Sequence, residues 1–324
     1  MAINGELQFD ALIPAEMAAK AEQIGVRKAH LNPVSMFVLA VLAGAFIALG
    51  AIFSTTVVAG AGDKLPYGVA RLLAGLVFSL GLILVVVGGA ELFTGNNLIV
   101  MAWANHKVST RLLLRNWIIV YLGNFAGALG TAGLAYLSDQ YWQGNGLVGA
   151  AALATANAKA GLAFIPAVAL GILCNTLVCL AVWLTFSART TTDRILAIVP
   201  PISAFVAAGF EHSIANMYFI PIGLFIQAGA PASFWAAIGK SAADYANLTW
   251  GNFLLNNLLP VTLGNIVGGA VFVGAVYWFV YLRRARVSVS QPAPAPAPAP
   301  QETHAEPVQV TGSAMTTGGD NGRQ

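Results

Sequence analysis

Gly209-Phe210-Glu211-His212-Ser213-Ile214-Ala215-Asn216 sits in the middle of an apolar run that extends from Ile195 to Gly239. Glu211 and His212 are the only charged or imidazole-bearing side chains in that run. A carboxylate and an imidazole side by side at bilayer depth are expensive, and such groups face a bundle interior or a water-filled path rather than lipid. Working outward, the 324-residue chain is 57% apolar and only 9% charged, against about 25% charged in an average soluble domain. It reads as an integral membrane protein. The first 33 residues are polar and lack the apolar core of a cleavable signal peptide, so the first span is expected to remain as an anchor.

Apolar runs divide the chain into six segments at about 33 to 62, 72 to 106, 116 to 138, 160 to 188, 195 to 239 and 250 to 282. Each reaches the roughly 20 residues that a helical span needs. The second is too long for one straight helix, because 35 residues at about 1.5 Å each would reach about 52 Å across a core of about 30 Å. It also contains Gly88-Gly89-Ala90-Glu91 and Thr94-Gly95-Asn96-Asn97. The second and fifth segments are therefore expected to be broken helices. Residues 1–32 form a polar amino-terminal arm with a short helix from about 14 to 30, in which Pro14 takes a first-turn position and Glu16 follows it. Residues 33–285 form the transmembrane domain. The stretch 286–324 contains alternating Pro-Ala from Pro292 to Pro300 and a Gly/Thr/Ser-rich remainder, which predicts a disordered tail.

Orientation follows from the sixteen Lys and Arg residues. With the amino terminus inside, twelve fall on the cytoplasmic side: Lys20, Arg27, Lys28, Lys107, Arg111, Arg115, Arg189, Arg194, Arg283, Arg284, Arg286 and Arg323. Lys64, Arg71, Lys159 and Lys240 fall outside. The positive-inside rule then places both termini of this multi-pass membrane protein in the cytoplasm.

The halves match one another. Gly89-Ala90-Glu91 with Asn96 has the spacing of Gly209-Phe210-Glu211 with Asn216. Asn116, Leu122-Gly123-Asn124 and Gly127 have the spacing of Asn257, Leu263-Gly264-Asn265 and Gly268. Two matches in the same order argue for a duplication of three spans. Because three is odd, the second copy crosses the membrane in the opposite sense, and the broken helices of an inverted repeat meet at the midplane. The fold class expected is an all-α polytopic membrane protein, six transmembrane helices in an inverted three-plus-three repeat with broken second and fifth helices.

Glu91 and Glu211 occupy equivalent positions, which assigns them, with Asn96 and Asn216, a structural task at the breaks: the carboxylates accept backbone N–H groups released there. His212 has no counterpart, since Leu92 stands in its place. That asymmetry marks it as the functional group, able to exchange a proton near neutral pH. Thr94 and Asn175 are either interhelical glue or contacts to a solute. Lys159 either draws anions to the path or snorkels as an ordinary interfacial lysine. No cofactor or metal is expected: Cys174 and Cys179 point about 140° apart on a helix, and no His or Cys pair has ligand spacing. No G-x-S-x-G nucleophile turn occurs, so an intramembrane protease is unsupported.

At Gly89-Ala90-Glu91-Leu92-Phe93-Thr94-Gly95-Asn96, at Leu173-Cys174-Asn175-Thr176-Leu177-Val178-Cys179-Leu180-Ala181-Val182-Trp183 and at Gly209 to Met217, the chain resembles the formate/nitrite transporter family. The resemblance runs from about residue 14 to 285. It implies a homopentamer in the lipid bilayer of the cell inner membrane, each protomer with its own aquaporin-like pore for formate, nitrite or a similar small monovalent anion; protons are a further partner on the mechanism expected of His212. No nucleic-acid partner and no enzymatic activity are implied. It also implies that Thr94 and His212 lie on the loops breaking segments two and five, that Asn175 donates a hydrogen bond near the centre, and that Lys159 is a vestibule lysine. Phe78, Leu82, Leu92, Phe93, Val178 and Phe205 match the family's apolar constrictions, and the amino-terminal helix its gating helix. Gly95-Asn96-Asn97 departs from the Ser-Thr version of some formate channels, while Phe210-Glu211-His212 is similar to the formate type. The expected mechanism has His212 hand the anion a proton so that a neutral acid crosses the apolar rings. Alternatives are a nitrite or hydrosulfide channel and, from a different class, a membrane enzyme or receptor without a pore. A neutral-solute channel would carry paired N-P-A boxes, and none occurs.

Overall fold

The structure is a computed structural model, and the residues it describes are 11–283. The expected tail from 286 to 324 lies outside them, as do residues 1–10. Among the described residues the structure is all helical. Helix α1 (Pro14–Ala29) starts on Pro14, and Glu16 accepts the Ile13 N–H at 3.0 Å, closing its first turn. Next come α2 (Pro33–Val58), capped by Asn32 accepting Val34 N–H at 2.9 Å, and α3 (Tyr67–Gly88). After the first break the chain re-forms helix as α4 (Phe93–Asn96) and α5 (Val100–Ala104), and then α6 (Thr110–Leu137) returns across the bilayer.

The second half opens with α7 (Leu147–Ala160) and α8 (Phe164–Ser187). Helix α9 (Thr191–Ala207) leads to the second break, followed by α10 (Ser213–Gly229) and by α11 (Ala232–Ile238), which turns 115° from α10. The last span is α12 (Asn252–Leu282), in which π-helical stretches flank the α-helical Leu259–Ile266. Five helices are long and apolar enough to cross a membrane alone, or six if the bent α10–α11 pair is one span.

Two differences from the sequence reading have physical causes. Helix α6 begins six residues before the expected 116, because Ser109 accepts the Leu112 N–H at 3.3 Å and caps it there. Arg111 and Arg115 are therefore helical; Arg115 reaches back and donates to the carbonyls of Ala29 and Leu31 at 2.8 and 3.1 Å. Stopping the span at its last charge underestimates a helix whose charges snorkel. The segment before Lys159, read as an outside loop, holds α7. Its Ala-rich composition favours helix, but it is shorter than a span.

That extra helix completes the repeat. Helix α7 stands to α8 as α1 stands to α2, and each short helix carries a lysine as its penultimate residue, Lys28 and Lys159. The duplicated unit is therefore a short helix plus three spans. Close packing in each half depends on the Gly-Asn motif. A Cβ on Gly127 would collide with the Val41 carbonyl, and one on Gly268 with the Ile172 carbonyl. Small residues four apart let α6 approach α2, and α12 approach α8, at backbone contact. Only at that distance can the intervening Asn124 and Asn265 reach across.

Candidate functional site

Both breaks begin the same way. Gly89 (φ 80°) ends α3 and Gly209 (φ 76°) ends α9, each in the left-handed region that favours glycine. Two residues later the chain is extended at Glu91-Leu92 and Glu211-His212, and helix restarts at Phe93 and Ser213.

A break frees backbone groups that hydrocarbon cannot satisfy. In the first, Asn124 Oδ1 accepts the Phe93 N–H at 2.9 Å, while its Nδ2 donates to the carbonyls of Ala40 (2.7 Å) and Glu91 (2.9 Å). In the second, Asn265 Oδ1 accepts the Ser213 N–H at 2.9 Å and its Nδ2 donates to Gly171 (2.8 Å) and Glu211 (3.0 Å). The amides of Glu91 and Glu211 donate to the carbonyls of Leu39 and Leu170, both at 3.3 Å or less.

The backbone support expected of the carboxylates is thus supplied by the two asparagines. Glu91 instead accepts from Lys28 Nζ at 2.8 Å and Asn96 Nδ2 at 2.7 Å. Glu211 accepts from Lys159 Nζ at 2.7 Å, Asn216 Nδ2 at 2.6 Å and Asn257 Nδ2 at 3.3 Å. The reason is geometric: the short Asn side chain, mid-helix on the neighbouring span, faces the gap, whereas each carboxylate turns toward the cation that compensates its burial. Asn116 and Asn257 close the circuits by accepting from Asn96 and Asn216 and donating to the carbonyls of Lys28 and Lys159.

The two breaks meet through Thr94 and His212. Thr94 Oγ1 and His212 Nε2 are 3.0 Å apart, both buried. His212 Nδ1 accepts the Ala215 N–H at 3.1 Å, making the imidazole the N-cap of α10. An N–H donor aimed at Nδ1 assigns the hydrogen of the neutral ring to Nε2, which then donates to Thr94. The Thr94 carbonyl is held by Asn175 Nδ2 (3.3 Å) and Cys179 Sγ (3.3 Å). Asn175 also donates to Asn97 Oδ1 (2.9 Å) and the Asn265 carbonyl (2.7 Å). Ser213 Oγ and Asn216 Oδ1, in the first turn of α10, are buried without a hydrogen-bond partner among the described residues.

Apolar side chains close around this pair. Phe205 stacks on His212 at 5.9 Å and meets Phe78 edge-on at 5.7 Å. Phe219 stacks on Phe78 at 6.3 Å and carries Lys159 Nζ 5.5 Å above its ring. Leu82 and Leu92 line a cavity that opens on the α1 side, and Val178 is buried one turn along α8 from Asn175. Phe93 goes elsewhere: its ring packs on Trp117 (6.0 Å) and Tyr121 (5.0 Å) of α6. Lys28, Asn97, Cys179 and Phe219 escaped the sequence reading. Lys28 was findable, since it precedes the first repeat as Lys159 precedes the second; Phe219 had no signal beyond helical spacing.

Comparison with known proteins bears on this arrangement. A family model described as formate/nitrite transporter matches residues 15–279. The formate channel FocA of Escherichia coli (strain K12) is 48% identical over 275 residues, covering 85% of this chain and 96% of that protein. FocA of Haemophilus influenzae is 44% identical over 272 residues, covering 84% and 95%. A solved pentameric formate channel with formate bound superposes with a TM-score of 0.74 at 49% identity, covering 78% of this chain and 98% of that one.

Proposed function

The chain belongs to the formate/nitrite transporter family, and we propose that it is a homopentameric channel conducting formate, with nitrite and hydrosulfide as competing permeants. Membership makes it a membrane transporter rather than an enzyme. The formate reading draws on its similarity to FocA and to the pentameric formate channel. Both termini lie in the cytoplasm, on the Lys and Arg distribution, so the α1 face is the cytoplasmic one.

The observation that carries the mechanism is the Thr94–His212 hydrogen bond, 3.0 Å long, joining the two breaks inside an apolar shell. A bare charge at the membrane centre costs at least about 2.5–3.5 kcal/mol. Once His212 has taken a proton from water at the mouth, an anion that displaces Thr94 from Nε2 receives the Nε2 proton, crosses Phe78, Phe205, Leu82 and Leu92 as the neutral acid, and releases the proton to water on the far side. Lys28 and Lys159 each offset the glutamate buried beside a break, so neither approach presents an uncompensated carboxylate to the anion. The test is formate flux into proteoliposomes across a pH series. His212→Asn, which donates a hydrogen bond but does not titrate, is expected to flatten the pH dependence; an unchanged profile discards the proton exchange.

The Ala215 N–H favours a second reading, in which His212 stays neutral and only donates a hydrogen bond. An imidazolium would set its Nδ1–H against the Ala215 N–H and a positive charge at a helix N-terminus. Nitrogen-15 NMR of the His212 ring with formate present separates the two: two protonated ring nitrogens support exchange, one supports donation alone.

A further inference from the structure

We infer that the mouth of the path on the α1 face is a regulatory site for a multiply charged, phosphate-bearing anion too large to pass the constriction. The inference rests on the channel reading above for its consequence, though not for the binding itself.

A cavity of about 460 Å3 opens there, lined by Lys20, Arg27, Lys28 and Arg194, with Glu91 as the single carboxylate among its lining residues. That volume is on the order of ten water molecules, far more than formate fills. Two of the four cations are satisfied: Lys28 by Glu91 at 2.8 Å, and Lys20 by the Phe186 carbonyl at 2.8 Å. Among the described residues Arg27 and Arg194 have neither a hydrogen-bond nor an ion-pair partner. Asp193, next to Arg194, is engaged with the amides of Arg189 and Thr190 at 3.2 and 2.9 Å as the cap of α9.

The crowding of like charge is felt: burial, then Arg194 and Arg189, push the Lys20 ammonium below its ordinary value. The opposite mouth differs. There Lys159 is paired with Glu211, and Arg71 donates to the carbonyls of Val206 and Ala207. Among the described residues beside the breaks, only the α1 mouth keeps guanidinium groups uncommitted. Guanidinium forks match phosphate oxygens bidentately, and Arg27 is on α1 whereas Arg194 is on α9. An anion held by both ties α1 across the mouth and obstructs flux.

Calorimetric titration of the purified full chain with inorganic pyrophosphate tests this. Saturable binding is expected, with Arg27→Gln and Arg194→Gln each raising Kd about tenfold while Lys240→Gln, on the other face, leaves it within about twofold. No saturable binding, or equal weakening by Lys240→Gln, overturns the site. In phosphatidylcholine vesicles pyrophosphate should lower formate flux, and each Arg variant should shift its half-inhibitory concentration by the same factor as Kd. Repeating the titration in nanodiscs with phosphatidylglycerol identifies the source: competition assigns the site to lipid headgroups, its absence to soluble phosphates. Binding without formate flux would sink the channel reading alone, and flux without binding would sink this inference alone.

Discussion

The first break and the second share one skeleton and differ in side chains, three of them consecutive. Glycine, glutamate, the bracing asparagine and the lysine recur in both, with one extra asparagine, Asn257, on Glu211. His212 replaces Leu92, Ile214 replaces Thr94 and Ser213 replaces Phe93. Leu92 and His212 even adopt the same extended conformation, φ −110° and −113°. The duplicated groups hold backbone; the unique ones meet across the centre. Chemistry in this molecule therefore sits where the support leaves the side chain free to vary.

The largest effect expected is on the braces. Asn265→Leu strands the Ser213 N–H and the carbonyls of Gly171 and Glu211, a loss of about 3 kcal/mol or more. Asn124→Leu strands the equivalent groups and should cost as much. Thermal unfolding in detergent measures both, and tolerance of one alone would end the equivalence of the breaks.

Transferring the imidazole probes the difference instead. His212→Leu should lower formate flux on the order of a hundredfold. Adding Leu92→His should not restore it, because Thr94 then lies on the same break as the histidine. Recovery in the double variant would mean that position matters less than the presence of an imidazole.

Next come the cations. Lys28→Met and Lys159→Met each leave a buried carboxylate uncompensated, at about 1–3 kcal/mol given the partial exposure of both lysines. Glu211 Oε2 accepts from two asparagines and Glu91 Oε2 from one, so Lys28→Met should lower the unfolding midpoint more. The reverse ranking would show that the asparagines do not share the load.

The smallest effect concerns the capping aspartates on opposite faces, Asp193 and Asp244. Backbone hydrogen bonds to Thr190 and to Ser241 hold their carboxyls below the ordinary value. Each therefore adds stability that is fully present above the unfolded-state pKa of about 3.9 and is lost as pH falls through the lower folded value. Asp193→Asn and Asp244→Asn should each slightly reduce the loss of melting temperature seen on acidification below about pH 4. A wild-type slope in both would discard the contribution.

Much of this was legible beforehand. Apolar runs located α2, α8 and α12 to within a few residues, since spanning length leaves a composition signal. Paired Gly-x-Glu and Leu-Gly-Asn spacings exposed the repeat and the breaks. Legibility ended where partners are chosen in space. The carboxylates were assigned the backbone amides that Asn124 and Asn265 in fact accept, because spacing names a polar group without its direction. Phe93 was grouped with the constriction, yet its ring lies against Trp117 and Tyr121, as adjacent residues at a helix start point different ways. Helix α7 went unread because a short Ala-rich segment has neither the length of a span nor the polarity of a loop.

By itself, then, the sequence determined the solvent, the duplication and the singular histidine: hydrophobic length and motif order are one-dimensional quantities. Tertiary structure decided which nitrogen of His212 faces Thr94 and which cations are already spent. Those depend on helices meeting at glycine contacts, a distance that no spacing along the chain encodes.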